Sequence, residues 1–205
     1  YKDMPIAMLA KLFGKKLVLH YHNKGVSLKQ HLLFYDFMYR CLFKNARVIL
    51  LSKRLYCDIE KYVDKTKVFY CPNGIPYSNF EHKRSSIISR DKVPKLLFLS
   101  NLIESKGVYV LLEALKILNA TGVKFECNFV GGEGDISAAM LNSKISDYNL
   151  GHCVSYLGKK YNDHKYEVFL KSDIFVLPSH YHNECFPLVL LEAMMFRLPI
   201  ISTSE

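Results

Sequence analysis

Residues 174–196 read IFVLPSHYHNECFPLVLLEAMMF, and they show most clearly how this chain folds. The segment begins with a continuous apolar run that ends at Pro178, which is typical of a short buried β-strand. It ends with the composition of a helix, over Leu188–Phe196, and the loop in between is polar. A buried strand that leads through a polar loop into a helix is the repeating unit of α/β proteins with a parallel sheet.

The same alternation of strands and helices extends towards both ends of the chain. The predicted strands are Leu17–Tyr21, Arg47–Ser52, Lys67–Cys71, Lys95–Ser100, Phe125–Val130, Val154–Leu157, Ile174–Pro178 and Pro199–Ser202. The predicted helices are Pro5–Phe13, Ser27–Phe43 with Ser27 as N-cap, Lys53–Val63, Gly107–Asn119, Asp135–Tyr148, Asn162–Lys171 and Leu188–Phe196. Strand–helix units of this length form right-handed crossovers, so the fold class is α/β with Rossmann-like domains.

A polar and charged stretch, Tyr77–Pro94, interrupts the alternation. We therefore predict a first Rossmann-like domain over residues 1–80, a linker over 81–94 and a second Rossmann-like domain over 95–205. The first predicted helix has no strand before it, and the chain stops at Glu205, shortly after the last predicted strand. Because such sheets normally have more strands on each side, we expect both domains to be incomplete.

Composition excludes several classes of protein. Half of the 205 residues are hydrophobic, which suits a packed core and not a disordered chain. No apolar run reaches the roughly 18 residues that indicate a membrane-spanning helix. The six cysteines form neither a C-x-x-C pair nor a metal-ligand spacing, so we expect no metal site and a cytoplasmic location.

Positive charge is concentrated in the first part of the chain. Residues 1–88 hold 16 Lys and Arg against 6 Asp and Glu, whereas residues 89–205 hold 12 against 13. This asymmetry indicates either an anionic partner, such as a membrane surface, or merely a basic surface. The predicted helix Ser27–Phe43 favours the membrane, because apolar residues on more than one stripe lie beside basic ones. These residues are Leu32, Leu33, Phe34, Phe37, Met38, Leu42, Phe43, Lys29, Arg40 and Lys44.

Two glutamates in the opening segment are the strongest candidates for a binding site. Ligands of open α/β sheets bind beyond the carboxyl ends of the strands, which is where Glu184 and Glu192 lie. A loop carboxylate at Glu184 can accept hydrogen bonds from sugar hydroxyls, and a helix carboxylate at Glu192 can bind a ribose diol. The backbone N–H groups of Phe186–Leu188 would meet a diphosphate at the helix N-terminus.

This segment resembles the signature of retaining glycosyltransferase family four, whose members have the GT-B fold. The family signature is a Glu, a Phe two residues later and a Leu-Glu-Ala-Met helix; the matching residues are Glu184, Phe186, Leu191, Glu192, Ala193 and Met194. The resemblance implies that Glu184 contacts the donor hexose and that Glu192 holds the nucleotide ribose. Pro187 stands where the family often has Gly, and it lacks an N–H that could donate to a phosphate.

Two further motifs match the same family. Asn101 and the pair Lys106-Gly107 follow the strand Lys95–Ser100. The family often has a Gly-Arg pair and then Lys-Gly here, and the resemblance implies that these groups bind the donor diphosphate. Asn101 takes the place of the Arg and supplies no charge. Gly132 lies in a glycine-rich turn after the strand Phe125–Val130, where the family commonly has Gly-x-Gly.

A histidine motif in the first part also matches. The family has a functional His just after the strand that corresponds to Leu17–Tyr21, so the resemblance implies His22, with His20 as the alternate, near the donor across the interdomain cleft. Strand alternation places both rings on one face of the sheet. A structural histidine is the competing interpretation, and no third metal ligand lies nearby in the sequence.

The resemblance implies transfer of a hexose from a nucleoside diphosphate sugar, with retention, in cell-surface polysaccharide or glycolipid synthesis. Glu184 and His22 would then be catalytic. We expect no cofactor beyond the donor substrate, a saccharide or lipid-linked acceptor and no nucleic-acid partner. We also expect a location on the inner face of the membrane. The alternatives are a non-catalytic sugar-nucleotide-binding or scaffolding protein, which Asn101 favours, and a nicotinamide dehydrogenase, which the lack of G-x-G-x-x-G disfavours.

Overall fold

A computed structural model describes residues 4–76 and 93–203. The chain divides into two compact units, one of Tyr1–Gly74 with His182–Pro187 and the other of Ile75–Tyr181 with Leu188–Glu205. The predicted domain boundary at residue 80 and nearly all of the predicted linker lie outside the described residues. The loop His182–Pro187, which we expected in the second domain, belongs to the first unit.

The first unit contains a parallel sheet of three strands in the order β1-β2-β3. Val48 of β2 lies opposite Leu19 of β1 and Val68 of β3. The elements of this unit are α1 (Met4–Leu12), β1 (Val18–Tyr21), α2 (Val26–Lys29), α3 (Leu33–Phe43), β2 (Arg47–Leu50), 3₁₀ helices over Lys53–Asp58 and Lys65–Lys67, and β3 (Val68–Tyr70). The predicted first helix and all three predicted strands are therefore confirmed to within two residues at each end.

The predicted helix Ser27–Phe43 is wrong, because two helices, α2 and α3, occupy this stretch. Ser27 lies inside α2 and is not its N-cap; that position belongs to Gly25, whose φ is 128°. The Asp58 carboxylate supplies the cap from elsewhere in the chain, and it accepts the backbone N–H groups of Gly25, Val26 and Ser27 at 3.0–3.1 Å. The hydroxyl of Ser27 also donates to Asp58 Oδ1, at 2.6 Å.

The predicted α-helix Lys53–Val63 is also wrong, since only the 3₁₀ helix Lys53–Asp58 forms there, followed by turns. Leu55, Ile59 and Val63 are all buried. Their spacing of four residues is that of an α-helical face, which is why the sequence predicts a helix. A 3₁₀ helix and the turns after it bury the same three side chains.

Aromatic packing and one ionic cluster join α3 to the turn after the 3₁₀ helix. The rings of Phe43 and Tyr62 stack with centroids 5.9 Å apart. Asp36 on α3 accepts hydrogen bonds from Tyr62 Oη at 2.7 Å and from Arg40 Nε at 2.8 Å, and Lys61 Nζ lies 2.7 Å from the same carboxylate. These donors lower the pKa of Asp36, whereas burial and the bond to Asp36 raise the pKa of Tyr62 to about 12.

The second unit contains a parallel sheet of five strands in the order β6-β5-β4-β7-β8. Its elements are β4 (Lys95–Leu99), a 3₁₀ helix over Glu104–Lys106, α4 (Val108–Ala120), β5 (Glu126–Val130), α5 (Ala138–Asp147), β6 (Val154–Tyr156), α6 (Asn162–Leu170), β7 (Ile174–Leu177), α7 (Leu188–Met195) and β8 (Ile200–Ser202). All of the strands and helices predicted for this part of the chain are confirmed, with small differences at their ends.

The strand order determines where a ligand can bind in the second unit. The first strand of this sheet, β4, lies in its middle, between β5 and β7. The strand order reverses at β4, because β5 and β6 lie on one side of it and β7 and β8 on the other. Such a topological switch point, outside the carboxyl ends of the strands, is where open α/β sheets bind ligands. The core below it includes Phe169, whose ring stacks on Phe196 with a centroid distance of 5.2 Å and an interplanar angle of 5°.

Candidate functional site

Loops after β4 and β5 are joined by backbone hydrogen bonds beyond the sheet. Leu102 N–H donates to the carbonyl of Gly132 at 2.7 Å, and Ile136 N–H donates to the carbonyl of Leu102 at 3.0 Å. The Asn101 side chain continues this link, because its Oδ1 accepts the N–H of Gly132 at 3.3 Å. The carboxamide is thereby oriented, and its Nδ2 group is the donor it can offer to a ligand.

Glycines allow these loops to approach each other. A Cβ on Gly131, whose φ is 154°, would lie 1.8 Å from the carbonyl oxygen of Ser100, so a side chain does not fit there. Gly132 is less crowded: a Cβ would lie 3.3 Å from Asn101 Oδ1 and 3.3 Å from Lys159 Cδ. The glycine turn therefore serves the packing of one loop on another, and the proposed contact of Gly132 with substrate stays a prediction.

The loop after β4 also packs on the loop after β7. Gly107 has a left-handed φ of 85°, and a Cβ on it would lie 2.1 Å from the carbonyl oxygen of Pro178. The N–H of His180 donates to the carbonyl of Ser105 at 2.8 Å. Gly107 is the N-cap of α4. It is therefore required by the turn itself, and its role in substrate binding stays a prediction.

Lys106 is the last residue of the 3₁₀ helix that precedes α4. Its ammonium lies over the ring of Tyr181, with Nζ 4.6 Å from the ring centroid. A cation at this distance from the face of a tyrosine is attracted by the ring quadrupole. Lys106 is therefore held beside the loop after β7, which suits the predicted role of neutralising a diphosphate.

Glu192 lies on α7 and forms an ion pair with Lys165 on α6. Nζ of Lys165 lies 2.6 Å from both carboxylate oxygens. The Lys165 side chain is 25% exposed and the Glu192 side chain is 15% exposed. Although both contacts are short, only Oε1 receives a hydrogen bond with good directionality. Oε2 is shielded from solvent and accepts no hydrogen bond from the described residues. The ammonium of Lys165 nevertheless compensates the charge of this oxygen at 2.6 Å, so the pair holds the carboxylate in place while lone pairs on its oxygens remain for a ligand hydroxyl.

The N-terminus of α7 lies where the paired-glutamate motif predicts it. The helix begins at Leu188, directly after Phe186 and Pro187. The N–H groups at the start of a helix are not bonded within the helix and carry partial positive charge. Leu188 can therefore contribute an N–H to an anion, whereas Pro187 has none. The side chain of Phe186 packs against the core of the first unit.

The first unit contains the predicted catalytic residues. The exposed rings of His20 and His22 lie on one face at the end of β1, as predicted, with centroids 4.1 Å apart. Glu184 belongs to this unit as part of the loop His182–Pro187. That loop is anchored by Asn73, whose Nδ2 donates to the carbonyl of Phe186 at 3.4 Å.

Charged groups surround the thiol of Cys185, next to Glu184. Burial raises the pKa of this thiol more than any other effect does. Among the surrounding charges, the Lys24 ammonium lowers that pKa, whereas the carboxylates of Asp58 and Glu184 raise it. The same Asp58 caps α2 directly after the loop that carries His22 and Lys24, so it supports the segment between β1 and α2.

Two residues of these sites were missed by sequence reasoning. Asp58 lies about 30 positions from the N–H groups that it caps, and Lys165 lies 27 positions from Glu192. Neither spacing is a helical or turn interval, so no local pattern indicates them. Within residues 4–76 and 93–203, no group of three or more His, Cys, Asp or Glu side chains could hold a metal ion. The helices of these same residues are all too short or too polar to cross a bilayer.

Comparisons with known proteins agree with this architecture. Residues 79–205 match the family described as "Glycosyl transferases group 1". The chain is 29% identical to the "Amylovoran biosynthesis glycosyltransferase AmsK" of Erwinia amylovora, over 95% of this chain and 48% of that protein. It is 27% identical to the "O-antigen chain mannosyltransferase C" of Escherichia coli, over 91% of this chain and 50% of that protein. The chain thus spans about half the length of the curated relatives it matches.

Among solved structures, the fold is similar to that of HepE from Anabaena in complex with UDP. The TM-score is 0.76 at 18% sequence identity, over 97% of this chain and 56% of that one. A glycosyltransferase from Rickettsia africae has a TM-score of 0.72 at 16% identity, over 99% of this chain and 62% of that one. The predicted α/β fold class, with Rossmann-like domains of the GT-B type, is confirmed.

Proposed function

Since the chain belongs to the group 1 glycosyl transferases, we propose that the protein transfers a hexose from a nucleoside diphosphate sugar to an acceptor, with retention, in the synthesis of a cell-surface polysaccharide or glycolipid. The observation that supports this most directly is the Glu192 carboxylate. It lies on the first helix after β7, it is held by Lys165, and its Oε2 lacks a hydrogen bond from the described residues. An acidic side chain beyond the carboxyl end of a Rossmann-type strand is suited to bind the ribose diol of a nucleotide.

The donor nucleotide binds to the second unit in this proposal. Glu192 accepts the ribose hydroxyls, while Lys106, Asn101 and the N–H of Leu188 receive the diphosphate. Among the residues assigned here to the diphosphate, Lys106 supplies positive charge and Asn101 supplies only a neutral donor. Glu184 contacts the hexose, and His22 hydrogen-bonds the sugar or the acceptor hydroxyl.

Retention is accounted for by departure and attack on the same face of the sugar. The bond between the anomeric carbon and the diphosphate oxygen breaks, and the acceptor oxygen bonds to that carbon from the side that the diphosphate leaves. The acceptor proton passes to the departing diphosphate, so no enzymic nucleophile is required. The protein contributes fixed charges and hydrogen bonds that favour this transition state.

An anionic membrane surface is the proposed location of the first unit, with a lipid-linked acceptor on the inner face of the membrane. Exposed apolar side chains on α1 and α3 support this, with exposed fractions of 69% for Ile6, 80% for Leu12, 90% for Leu33, 68% for Phe34 and 66% for Phe37. Phe43, which the sequence placed with them, is buried. Lys15, Lys16 and Lys29 are exposed near these helices. Basic residues that border apolar ones are suited to an anionic leaflet.

Nucleotide-sugar binding by the intact protein tests the proposed donor class. Thermal unfolding is measured with UDP-, GDP- and ADP-hexoses, each compared with the free hexose. We expect one nucleotide sugar to raise Tm in a concentration-dependent way, because a ligand that binds the folded state stabilises it. Turnover of that donor then distinguishes an enzyme from a non-catalytic binding protein. The second role is the one that Asn101 favours, because it lacks the charge of the Arg that the family often has. Equal Tm values with all of the nucleotide sugars would contradict the proposed function.

A further inference from the structure

Lys165 lies outside the family motifs, yet it contacts Glu192, the residue proposed to bind the ribose of the donor. Its Nζ lies 2.6 Å from each oxygen of the Glu192 carboxylate. The lysine comes from α6 and the glutamate from α7, so the pair depends on how these two helices pack. We propose that Lys165 is a positioning residue, which fixes the Glu192 carboxylate for recognition of the ribose of the donor nucleotide.

The residues around the pair are closely packed. Tyr166 and Phe169, one and four residues after Lys165, both contact Phe196 beyond the end of α7, at centroid distances of 5.7 and 5.2 Å. Phe169 and Phe196 are fully buried, and so is Ala193, next to Glu192. Since rings and helices in a close-packed interior change position only at a cost, the backbones that carry Lys165 and Glu192 have a fixed separation.

The chemistry of the pair leaves lone pairs of the carboxylate for a ligand. A glutamate side chain is flexible, and an ammonium that contacts both of its oxygens restricts its orientation. Lys165 donates to Oε1, whereas Oε2 accepts no hydrogen bond from the described residues. Each carboxylate oxygen has two lone pairs, so a ribose 2′- or 3′-hydroxyl can donate to Glu192 while Lys165 stays bound. A deoxyribose lacks one of these donors, so the oriented carboxylate should discriminate between the two sugars.

Charge gives Lys165 a second function at this position. The donor carries a negatively charged diphosphate next to its ribose, which a nearby carboxylate repels. The ammonium of Lys165 compensates the charge of Glu192 and reduces this repulsion. Glu192 can then accept hydroxyl groups from a ligand that is itself anionic.

The inference rests on the proposed function, and binding measurements test the two separately. The affinities of UDP, GDP and ADP, and of their 2′-deoxy counterparts, are measured by calorimetry on the full chain. For wild type we expect one base to be preferred and the ribonucleotide to bind more tightly. In Lys165→Gln we expect the Kd of the preferred ribonucleotide to rise about tenfold. The ratio of the Kd of the deoxyribonucleotide to that of the ribonucleotide should fall close to unity.

Matched variants separate positioning from general damage. Lys171→Gln removes an exposed lysine at the end of the same helix, one that pairs with Glu167, and it should bind as wild type does. Lys165→Met, a side chain of similar length, should repeat the effect of Lys165→Gln, and it takes the place of that variant if Lys165→Gln folds poorly. In a Glu192→Ala background, Lys165→Gln should change the ribose preference no further, because Lys165 acts through Glu192.

The possible outcomes lead to different conclusions. If wild type prefers ribonucleotides and both Lys165 variants keep that preference, the positioning role is wrong and the proposed function stands. If wild type binds none of these nucleotides, or does not distinguish ribose from deoxyribose, the assignment of Glu192 fails and the role of Lys165 fails with it. A loss of ribose preference in the Lys165 variants, with Tm and the Lys171→Gln control unchanged, supports the inference.

Discussion

A Cβ on Gly107 would lie 2.1 Å from the carbonyl oxygen of Pro178, so the loop after β4 touches the loop after β7 through backbone alone. Gly107→Ala should therefore destabilise the protein by about 3 kcal/mol or more, since it adds a collision with backbone to the strain of a positive φ. Urea unfolding of the chain measures this. Gly122→Ala is the matched control, with φ 78° and no atom within 4 Å of the added carbon. It should cost about 1–2 kcal/mol. Equal losses would show that the contact with Pro178 is readily relieved.

The cap that Asp58 provides for α2 should contribute strongly to the stability of the first unit. Asp58→Ala leaves the N–H groups of Gly25, Val26 and Ser27 without their acceptor, so we expect a loss of about 3 kcal/mol. Asp64→Ala is the comparison, because Asp64 caps an exposed 3₁₀ helix by accepting the N–H of Thr66 at 2.8 Å. That loss should be about 1 kcal/mol. Denaturant midpoints with unchanged m-values give both numbers, and a smaller loss for Asp58→Ala would contradict the capping role.

Glu184→Gln should greatly slow transfer while the fold stays intact. The proposed contact of this carboxylate with the hexose is made mainly in the transition state, so its loss should reduce kcat about 100- to 1,000-fold. Initial rates of the intact protein, with Tm as the check on folding, measure the effect. Near-normal turnover would exclude the role proposed for Glu184.

Glu192→Ala should instead weaken donor binding. Ribose recognition acts equally on the ground state and the transition state, so KM for the donor should rise while kcat stays nearly constant. Steady-state kinetics over a range of donor concentrations measure both parameters. A large fall in kcat at unchanged donor affinity would mean that the roles of the two glutamates are assigned the wrong way round.

The apolar surface of α3 should determine membrane binding. Leu33→Ser combined with Phe37→Ser should reduce recovery of the intact protein with anionic vesicles several-fold, because it removes apolar area that the bilayer would cover. Val110→Ser with Ile117→Ser is the control, because both residues are exposed apolar side chains on α4, at 51% and 66%.

Binding of wild type should also weaken with salt, since each basic residue near an anionic leaflet contributes about 1 kcal/mol. Equal recovery of wild type on neutral and anionic vesicles, at low and high salt, would favour an acceptor that is not in the membrane.

The second unit was predictable because its signals are local. Its apolar strand runs and helical segments alternate over short stretches of the chain, and the observed elements lie where those stretches do. The structure of the first unit differs from the prediction where a residue distant in the sequence determines it. Asp58, for example, caps α2 within the stretch predicted as one long helix. For the same reason, sequence reasoning located Glu192 but not Lys165, whose contact exists only once α6 and α7 pack.

The loop His182–Pro187 shows a second limit of sequence reasoning. Its position in the chain indicates the second domain, but Cys185 and Phe186 pack against the core of the first unit. A moderately apolar loop has no sequence feature that identifies the core it joins. The role of Glu184 was thus inferred from a motif, whereas the unit to which it belongs required the structure.

The central position of β4 has a consequence for how the second unit folds. The backbone N–H of Lys95, where β4 begins, donates to the Asp173 carboxylate, 78 residues later, and Leu96 lies opposite Ile174. During synthesis β4 can pair with β5 early, but its other edge stays open until β7 has left the ribosome. Contacts of such long sequence separation slow folding, and an open strand edge invites pairing with other chains. We therefore expect refolding of this unit to be limited by docking of β7, with aggregation as the competing reaction.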